Sequence, residues 1–435
     1  MGHDYLKVES IMIRKNQRTE SLPLVAVELG SSGVRAMAAK RMENDVFHIL
    51  GVEESEKFPS IEKGNIIQSG NVGYMIAEVL KKLANRIGVE NLPTAFVPVG
   101  GSPTRIAAVQ SKRDNVHSTR ITKAQLADME KECYDKINAK YPEYAVIGVV
   151  PAYFLLDDEE FCYDELAAET QRGTLIEGHY TAFVTKKEVS EKIDKSFDQA
   201  MRSVEQSFVR ADVLLSAFAQ EDGYSVLQDG CAVIDFGAQT TTLSIYKGSE
   251  YLAHKVVPQG GYNITTLLSQ QGISFNSAEK LKCNYGYASA DYVEKNLHIR
   301  LKATEEIGGE LQITSIEIAD LIESKLKEIL VPVLEQIDKY KDRIKTLYIT
   351  GGASMLCGLD AYLQSLTGIN TLYGAHDALV GRDTEEQYFS PRYSSLVGTL
   401  LLGASYRDMH KGELVKPPKL VDKFRDAAIT LFSNE

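Results

Sequence analysis

The chain has 435 residues, a formal net charge of −12, and ordinary apolar (44%) and charged (25%) fractions. That composition describes a globular protein with length for about three domains. The acidic balance, without a basic stripe, argues against nucleic acid as the main partner, and no apolar run nears the roughly 20 residues that span a bilayer.

Residues 1–23 lack an apolar core segment and read as a flexible leader rather than a signal peptide. Leu24 to Lys40 then predicts a hairpin: an apolar strand ending in Glu28, the turn Gly30-Ser31-Ser32-Gly33, and a returning strand. Val46 to Glu53 continues as a strand, and Lys63 to Ile67 is a turn with a short extended piece. Val72 to Ile87 carries Ile76, Val79, Leu80, Leu83 and Ile87 at helical spacing, with Gly88 as the stop. Pro93 to Gln110 is strand-like, broken at Gly100-Gly101. A helix capped by Thr122 runs to about Lys140, and Ala145–Phe154 and Thr181–Thr185 are strands, so residues 94–184 look like an inserted α+β subdomain. Glu188 to Phe208 reads as a helix.

Cys231 to Tyr246 repeats the plan of the first hairpin. An apolar strand ends in Asp235, a turn of Phe236-Gly237-Ala238-Gln239 and three threonines follows, and an alternating strand returns. Small residues in such a turn let backbone N–H groups and hydroxyls approach a phosphate. Asp235 could hold a hydrated Mg²⁺ there, or simply cap the turn. Two such hairpins about 200 residues apart point to a duplicated domain that clamps a nucleotide between its halves. Pro258 to Thr265 opens a helix at Gly260-Gly261, either as an anion site or for its geometry alone. Glu279 and Lys282 share one helix face at i, i+3. Glu317 to Ile337 is a long amphipathic helix, and Thr346 to Asp360 reads as strand, Gly351-Gly352 turn and helix. Tyr393 to Tyr406 is an apolar helix in which Gly398 and Gly403 allow close contact.

After Pro417-Pro418, the chain from Leu420 to Phe432 puts Leu420, Phe424, Ala428 and Leu431 on one helical face, with Phe432 at its edge. An interfacial membrane helix and a helix docked on the body both fit this pattern. The five cysteines have no paired spacing and read as free thiols in a reducing compartment. The eight scattered histidines give no reason to expect a metal held by protein side chains alone.

The order of these motifs resembles the actin, Hsp70 and sugar kinase superfamily, and within it the FtsA family of bacterial cell-division proteins. The likeness runs from about residue 24 to 407. Its more specific carriers are Val257 to Thr265, Ala278-Glu-Lys-Leu-Lys-Cys-Asn-Tyr-Gly-Tyr-Ala288 and Tyr393 to Leu400. The resemblance implies an α/β fold of duplicated actin-like halves around a nucleotide cleft. The first half would comprise 24–93 and 185–230, split by the insert at 94–184. The second half would be 231–407, followed by a linker at 408–419 and a membrane helix at 420–435.

It also implies ATP with Mg²⁺ as cofactors. Asp235, Gly237, Thr240 and Thr241 would face the phosphates and the ion, and Gly30, Ser31, Ser32 and Gly33 would form the first phosphate loop. Gly260 and Gly261 would open the following helix beside them. Glu279 and Lys282 would flank ribose and base, and Gly351, Gly352 and Ala353 the adenosine side. Glu28, Asp235 and Gln239 are the candidates for catalysis, Gln239 by bonding a phosphate or a water unless it only shapes its turn. Glu28 stands where the family has Asp, which moves the carboxylate by about 1.5 Å. A displacement of that size disturbs placement of an attacking water. Gly33 replaces a frequent Lys, and Ala238-Gln239 replaces glycines. Nucleotide binding with slow hydrolysis or none is expected. The implied function is a head-to-tail polymer that tethers the tubulin-like FtsZ ring, through its second half, to the cytoplasmic side of the bacterial cell membrane at the division site. Alternatives are a pilus-assembly adaptor of PilM type, which shares the Asp-x-Gly-Ala-x-Thr-Thr turn, and a small-molecule kinase of the superfamily.

Overall fold

The computed structural model describes residues 23–409 except 43–45, 57–58, 219–227, 249 and 375. The leader, the linker beyond 409 and the helix expected at 420–435 lie outside the described residues.

Leu24–Gly30 (β1) turns through Ser31 and Ser32 into Gly33–Arg41 (β2), and Phe47–Glu54 (β3) pairs antiparallel beside it. A small hairpin, Ile61–Glu62 (β4) with Asn65–Ile66 (β5), leads into helix Ser69–Ile87 (α1), which ends at Gly88 in the left-handed region. Ala95–Val99 (β6) then pairs in parallel with β1.

The chain next leaves this sheet and builds another. Thr104–Arg120 (β7), Lys123–Lys140 (α2), Tyr144–Leu156 (β8), Glu159–Phe161 (β9), Tyr163–Ala167 (α3) and Arg172–Lys186 (β10) form a four-stranded sheet of order β7-β10-β8-β9 with its helices. Thr122 caps α2, its hydroxyl accepting from the Gln125 N–H. Ile121, Leu126, Met129, Phe154, Ile176 and Tyr180 make a separate core. Of the stretch 94–184, residues 95–99 therefore sit in the first sheet, and the insert's own sheet occupies 104–186.

Lys187–Gln199 (α4) is followed by Val204–Val209 (β11), which corrects the reading of one helix over Glu188 to Phe208. Met201 takes φ 54°, and Val204 to Val209 pair in parallel with β6. Val204, Phe208 and Val209 beside an open sheet edge prevail over helical spacing. Arg210–Phe218 (α5) leaves from the end of β11.

The second half repeats the first. Cys231–Phe236 (β12), Thr241–Lys247 (β13) and Glu250–Val257 (β14) are antiparallel neighbours. Gly261–Ser269 (α6), Phe275–Tyr285 (α7), the hairpin His298–Lys302 (β15) with Glu310–Thr314 (β16), and Ser315–Lys339 (α8) follow. Thr346–Thr350 (β17), Leu359–Thr367 (α9), Asn370–Tyr373 (β18) and Ser394–Met409 (α10) complete it. The sheets run β3-β2-β1-β6-β11 and β14-β13-β12-β17-β18, each with three antiparallel strands and then two parallel ones.

Strand parity sets the layers. Val25, Val27, Ala36 and Ala38 face α1 and α4 in one core. Their alternates Leu24, Ala26 and Met37 share a second core with Cys231 and Val233 of β12, so α5 and α10 are held between the two sheets. Ala232, Ile234, Leu243 and Ile245 face α8 and α9 on the far side. Gly398 lets α10 approach α5, since a Cβ there would stand 2.2 Å from the Val213 carbonyl oxygen.

Candidate functional site

The parity that builds the central core also aims the two acids. Glu28 follows Leu24 and Ala26 on the inner face of β1, and Asp235 follows Cys231 and Val233 on the inner face of β12. Both strands end there, so both carboxylates reach the space between the halves. That space is a cleft with a volume of about 440 Å³, within the range of small-molecule sites.

Three arginines meet the acids. Arg35 lies directly across the β1–β2 ladder from Glu28, and its Nη2 is 2.9 Å from Glu28 Oε2. Its Nη1 also donates to the Arg392 carbonyl at 3.0 Å. Arg210, the first residue of α5, places Nη2 3.0 Å from Glu28 Oε1 and Nη1 3.6 Å from Asp235 Oδ2. Arg392, also at the cleft, pairs with Glu54. Burial pushes the Glu28 carboxyl up, but Arg35, Arg210 and Arg392 outweigh it and hold it below its ordinary value. Asp235 goes the other way: burial and the nearby Glu28 charge raise it further than Arg210 and Arg35 pull it back. Burial lowers Arg210, and the charges of Glu28 and Asp235 more than restore it.

The turns close the remaining walls. Gly30, Ser31 and Ser32 come from the first hairpin, and Gly237, Gln239 and Thr240 from the second. Gly261 and the Glu279–Lys282 pair (2.8 Å) form the far wall, where Lys282 Nζ also donates to the Gly261 carbonyl at 3.1 Å and to Thr265 Oγ1 at 2.9 Å. Gly351, Gly352 and Ala353 follow β17. Gly351 has φ 90°, and a Cβ there would stand 2.6 Å from Asp235 Oδ1, so this turn packs on the acid itself.

The structure thus brings Glu28, Gly30, Ser31, Ser32, Asp235, Gly237, Gln239, Thr240, Gly261, Glu279, Lys282, Gly351, Gly352 and Ala353 to one cleft. Thr241, Gly260 and Gly33 do not line it. Thr241 is buried and donates to the Gln259 carbonyl at 2.9 Å. Gly33 packs beside Ser55. Gly260 has its place for geometry: a Cβ on it would meet the Gly237 carbonyl oxygen at 2.5 Å. The first N–H groups of α6 are also already bonded. Gly261 donates to Gly237 at 3.0 Å and Tyr262 to Ala238 at 2.7 Å, so this helix start presses on the second turn instead of standing open to an anion. Gln239 accepts from the Lys63 N–H at 3.0 Å. Leu420, Phe424, Ala428, Leu431 and Phe432 lie outside the described residues.

Sequence reasoning missed Arg35, Arg210 and Arg392. Pairing of Gly30 with Gly33 around the first turn fixes Glu28 opposite Arg35, so that contact had a local signal. Arg210 had none, because only the fold brings it to residues 28 and 235.

The nucleotide and the metal ion implied by the resemblance meet these residues differently. Small turns and an open-sided Gly352, where a Cβ would meet nothing within 4 Å, leave room for a flat ligand. Direct coordination of Mg²⁺ by these carboxylates does not fit the side chains as placed. Both candidate carboxylates are engaged by guanidinium groups, and no cluster of three or more His, Cys, Asp or Glu able to hold a metal exists among the described residues.

Two like-ordered sheets around such a cleft define an actin-like α/β protein. Solved structures agree on the fold. A PilM-PilN type IV pilus biogenesis complex superposes with a TM-score of 0.64 at 16% identity, over 87% of this chain and 98% of the other. MreB 5 of Spiroplasma citri bound to AMPPNP gives 0.55 at 13% identity, over 91% and 100%. In sequence, the family model described as Cell division protein FtsA matches residues 232–398. The Cell division protein FtsA of Streptococcus pneumoniae is 22% identical over 352 residues, 79% of this chain and 73% of the relative. The chain is thus similar to FtsA cell-division proteins over 79% of its length at 22% identity, and the family model matches part of its second half.

Proposed function

We propose that the chain is an actin-like, ATP-binding cell-division protein of FtsA type that forms head-to-tail polymers and tethers the FtsZ ring to the cytoplasmic face of the cell membrane. The observation that supports this most is the matched pair of strand ends. Glu28 with its Gly-Ser-Ser turn and Asp235 with its Gly-Ala-Gln-Thr turn meet at one cleft between two sheets of the same strand order. A chain built this way can bind a nucleotide with parts of both halves and so couple its presence to their relative position. The relatives' division role and the AMPPNP held by a protein of the same fold support the same reading.

Among the described residues no helix is long and apolar enough to cross a membrane. Attachment in this reading belongs to the amphipathic sequence Leu420 to Phe432. One such helix binds weakly, and a polymer multiplies it. The test is co-sedimentation with anionic liposomes and ATP, comparing the full chain with one ending at Lys416. Tail-dependent pelleting is expected. Both forms staying in the supernatant would sink the tether and favour a soluble adaptor of pilus type. ATP consumption that needs an added small-molecule acceptor would favour a kinase.

A further inference from the structure

A hydrated divalent cation is the usual partner for carboxylates that face polyphosphate, because it joins negative oxygens on both sides. Here the position between the carboxylates is held by a side chain. Arg210 reaches Glu28 Oε1 at 3.0 Å and Asp235 Oδ2 at 3.6 Å with the two ends of one guanidinium. The other Glu28 oxygen is 2.9 Å from Arg35. Mg²⁺ demands near-octahedral oxygen ligands at roughly 2.0–2.1 Å. It cannot take these oxygens while the guanidinium stays, and two cations at that spacing repel.

The same group is suited to phosphate. A guanidinium presents several N–H donors in a rigid plane that matches two phosphate oxygens at once. Arg210 lines the cleft, and its two terminal nitrogens are the ones that reach the carboxylates there, while Nε is buried behind them. The wall carries four cations, Arg35, Arg210, Arg392 and Lys282, set against the carboxylates of Glu28, Asp235 and Glu279 and the Glu54 that pairs with Arg392. Four cations are thus gathered on one wall of a chain whose net charge is −12.

We propose that Arg210 is the resident cation at the phosphate end of the cleft, so that a nucleoside polyphosphate binds there without a divalent metal ion. The inference rests on the nucleotide reading above and goes one step past it. A purely structural Arg210 would neutralise the buried acids without making nucleotide affinity independent of metal.

Titration calorimetry of ATP into the full chain, in Mg²⁺ and in EDTA, tests this. The wild-type dissociation constant should agree within about twofold between the two buffers. Arg210→Gln should weaken binding in EDTA by about tenfold or more, the worth of a charge-assisted contact. Mg²⁺ should restore part of that loss, since the freed carboxylates then accept the ion. Arg210→Lys should keep the metal independence at intermediate affinity. Wild-type binding at least about tenfold weaker in EDTA would overturn the inference and leave the nucleotide reading standing. No binding in either buffer would overturn both. Arg210→Gln binding as tightly as wild type in EDTA would remove Arg210 from the role. The wild-type comparison decides the matter even if Arg210→Gln does not fold.

Discussion

The Lys63 backbone N–H donates to Gln239 Oε1 at 3.0 Å, and the same N–H lies 3.2 Å from Ser31 Oγ. The β4–β5 hairpin thus ties the turn of the first half to the turn of the second at the cleft. The contact is exposed and single, so it contributes little to stability, roughly 0.5–1.5 kcal/mol. It acts where the halves would part. Gln239→Ala should therefore speed release of a fluorescent nucleotide several-fold in stopped-flow displacement while the melting temperature stays nearly unchanged. An unchanged release rate would show that the tie does not hold the cleft shut.

Gly352 separates ligand space from packing space. Its neighbour Gly351 is dictated by the protein, with φ 90° and Asp235 against it. Gly352 lies outside the left-handed region, and a Cβ there meets nothing within 4 Å. Protein packing alone does not ask for glycine at this position. Gly352→Val should leave the denaturation midpoint within about 0.5 kcal/mol of wild type and weaken nucleotide binding by about tenfold or more, since the branched side chain fills the cleft. Equal affinity in calorimetry would place the ligand elsewhere.

These two positions also show what the sequence carried. The fold class was legible because both hairpins write their plan locally: an apolar strand, an acid two residues before glycine, a polar turn and a return. The cleft followed, since strand parity makes Glu28 and Asp235 continue the inner faces of their strands. The α4–β11 boundary was not legible, because Val204 to Val209 become a strand only when β6 offers an edge. The role of Gly260 was ambiguous for a similar reason. A glycine at a helix start serves an anion or a close turn equally well until the turn is placed, and here the turn fills the space. Arg210 was invisible because charge pairing across the fold leaves no spacing in the chain.

Glu28 should be the most costly cleft carboxylate to neutralise. It is buried between Arg35 and Arg210, and removing one partner of a buried pair leaves uncompensated charge. Glu28→Gln should destabilise the protein by about 3–5 kcal/mol in urea denaturation. Adding Arg210→Gln should recover part of that loss, with a coupling of at least about 1 kcal/mol. The pH sign follows from the lowered carboxyl. This stability is fully present above the ordinary value of 4.5 and is lost as pH falls through the lower folded value. Strict additivity of the two substitutions would show that the ion pair is not the source of the stability.

His254 gives a second test of acid sensitivity, at milder pH. It sits on β14 across from Ser244, whose Oγ is 2.9 Å from Nδ1, while Nε2 is buried without a hydrogen-bond partner among the described residues. Burial and the nearby Arg105 charge lower its pKa from 6.5 to about 4. The unfolded chain therefore takes up a proton as pH falls below 6.5, and the folded protein does not until about 4. Stability is lost across that window, by about 2 kcal/mol between pH 6.5 and 5 for a single group. The wild-type denaturation midpoint should fall over that range, and His254→Asn should flatten the slope even though it starts from lower stability. A variant with the full wild-type slope would move the acid sensitivity to other groups. The neutral imidazole would then be a packing element on β14 with no part in the pH response.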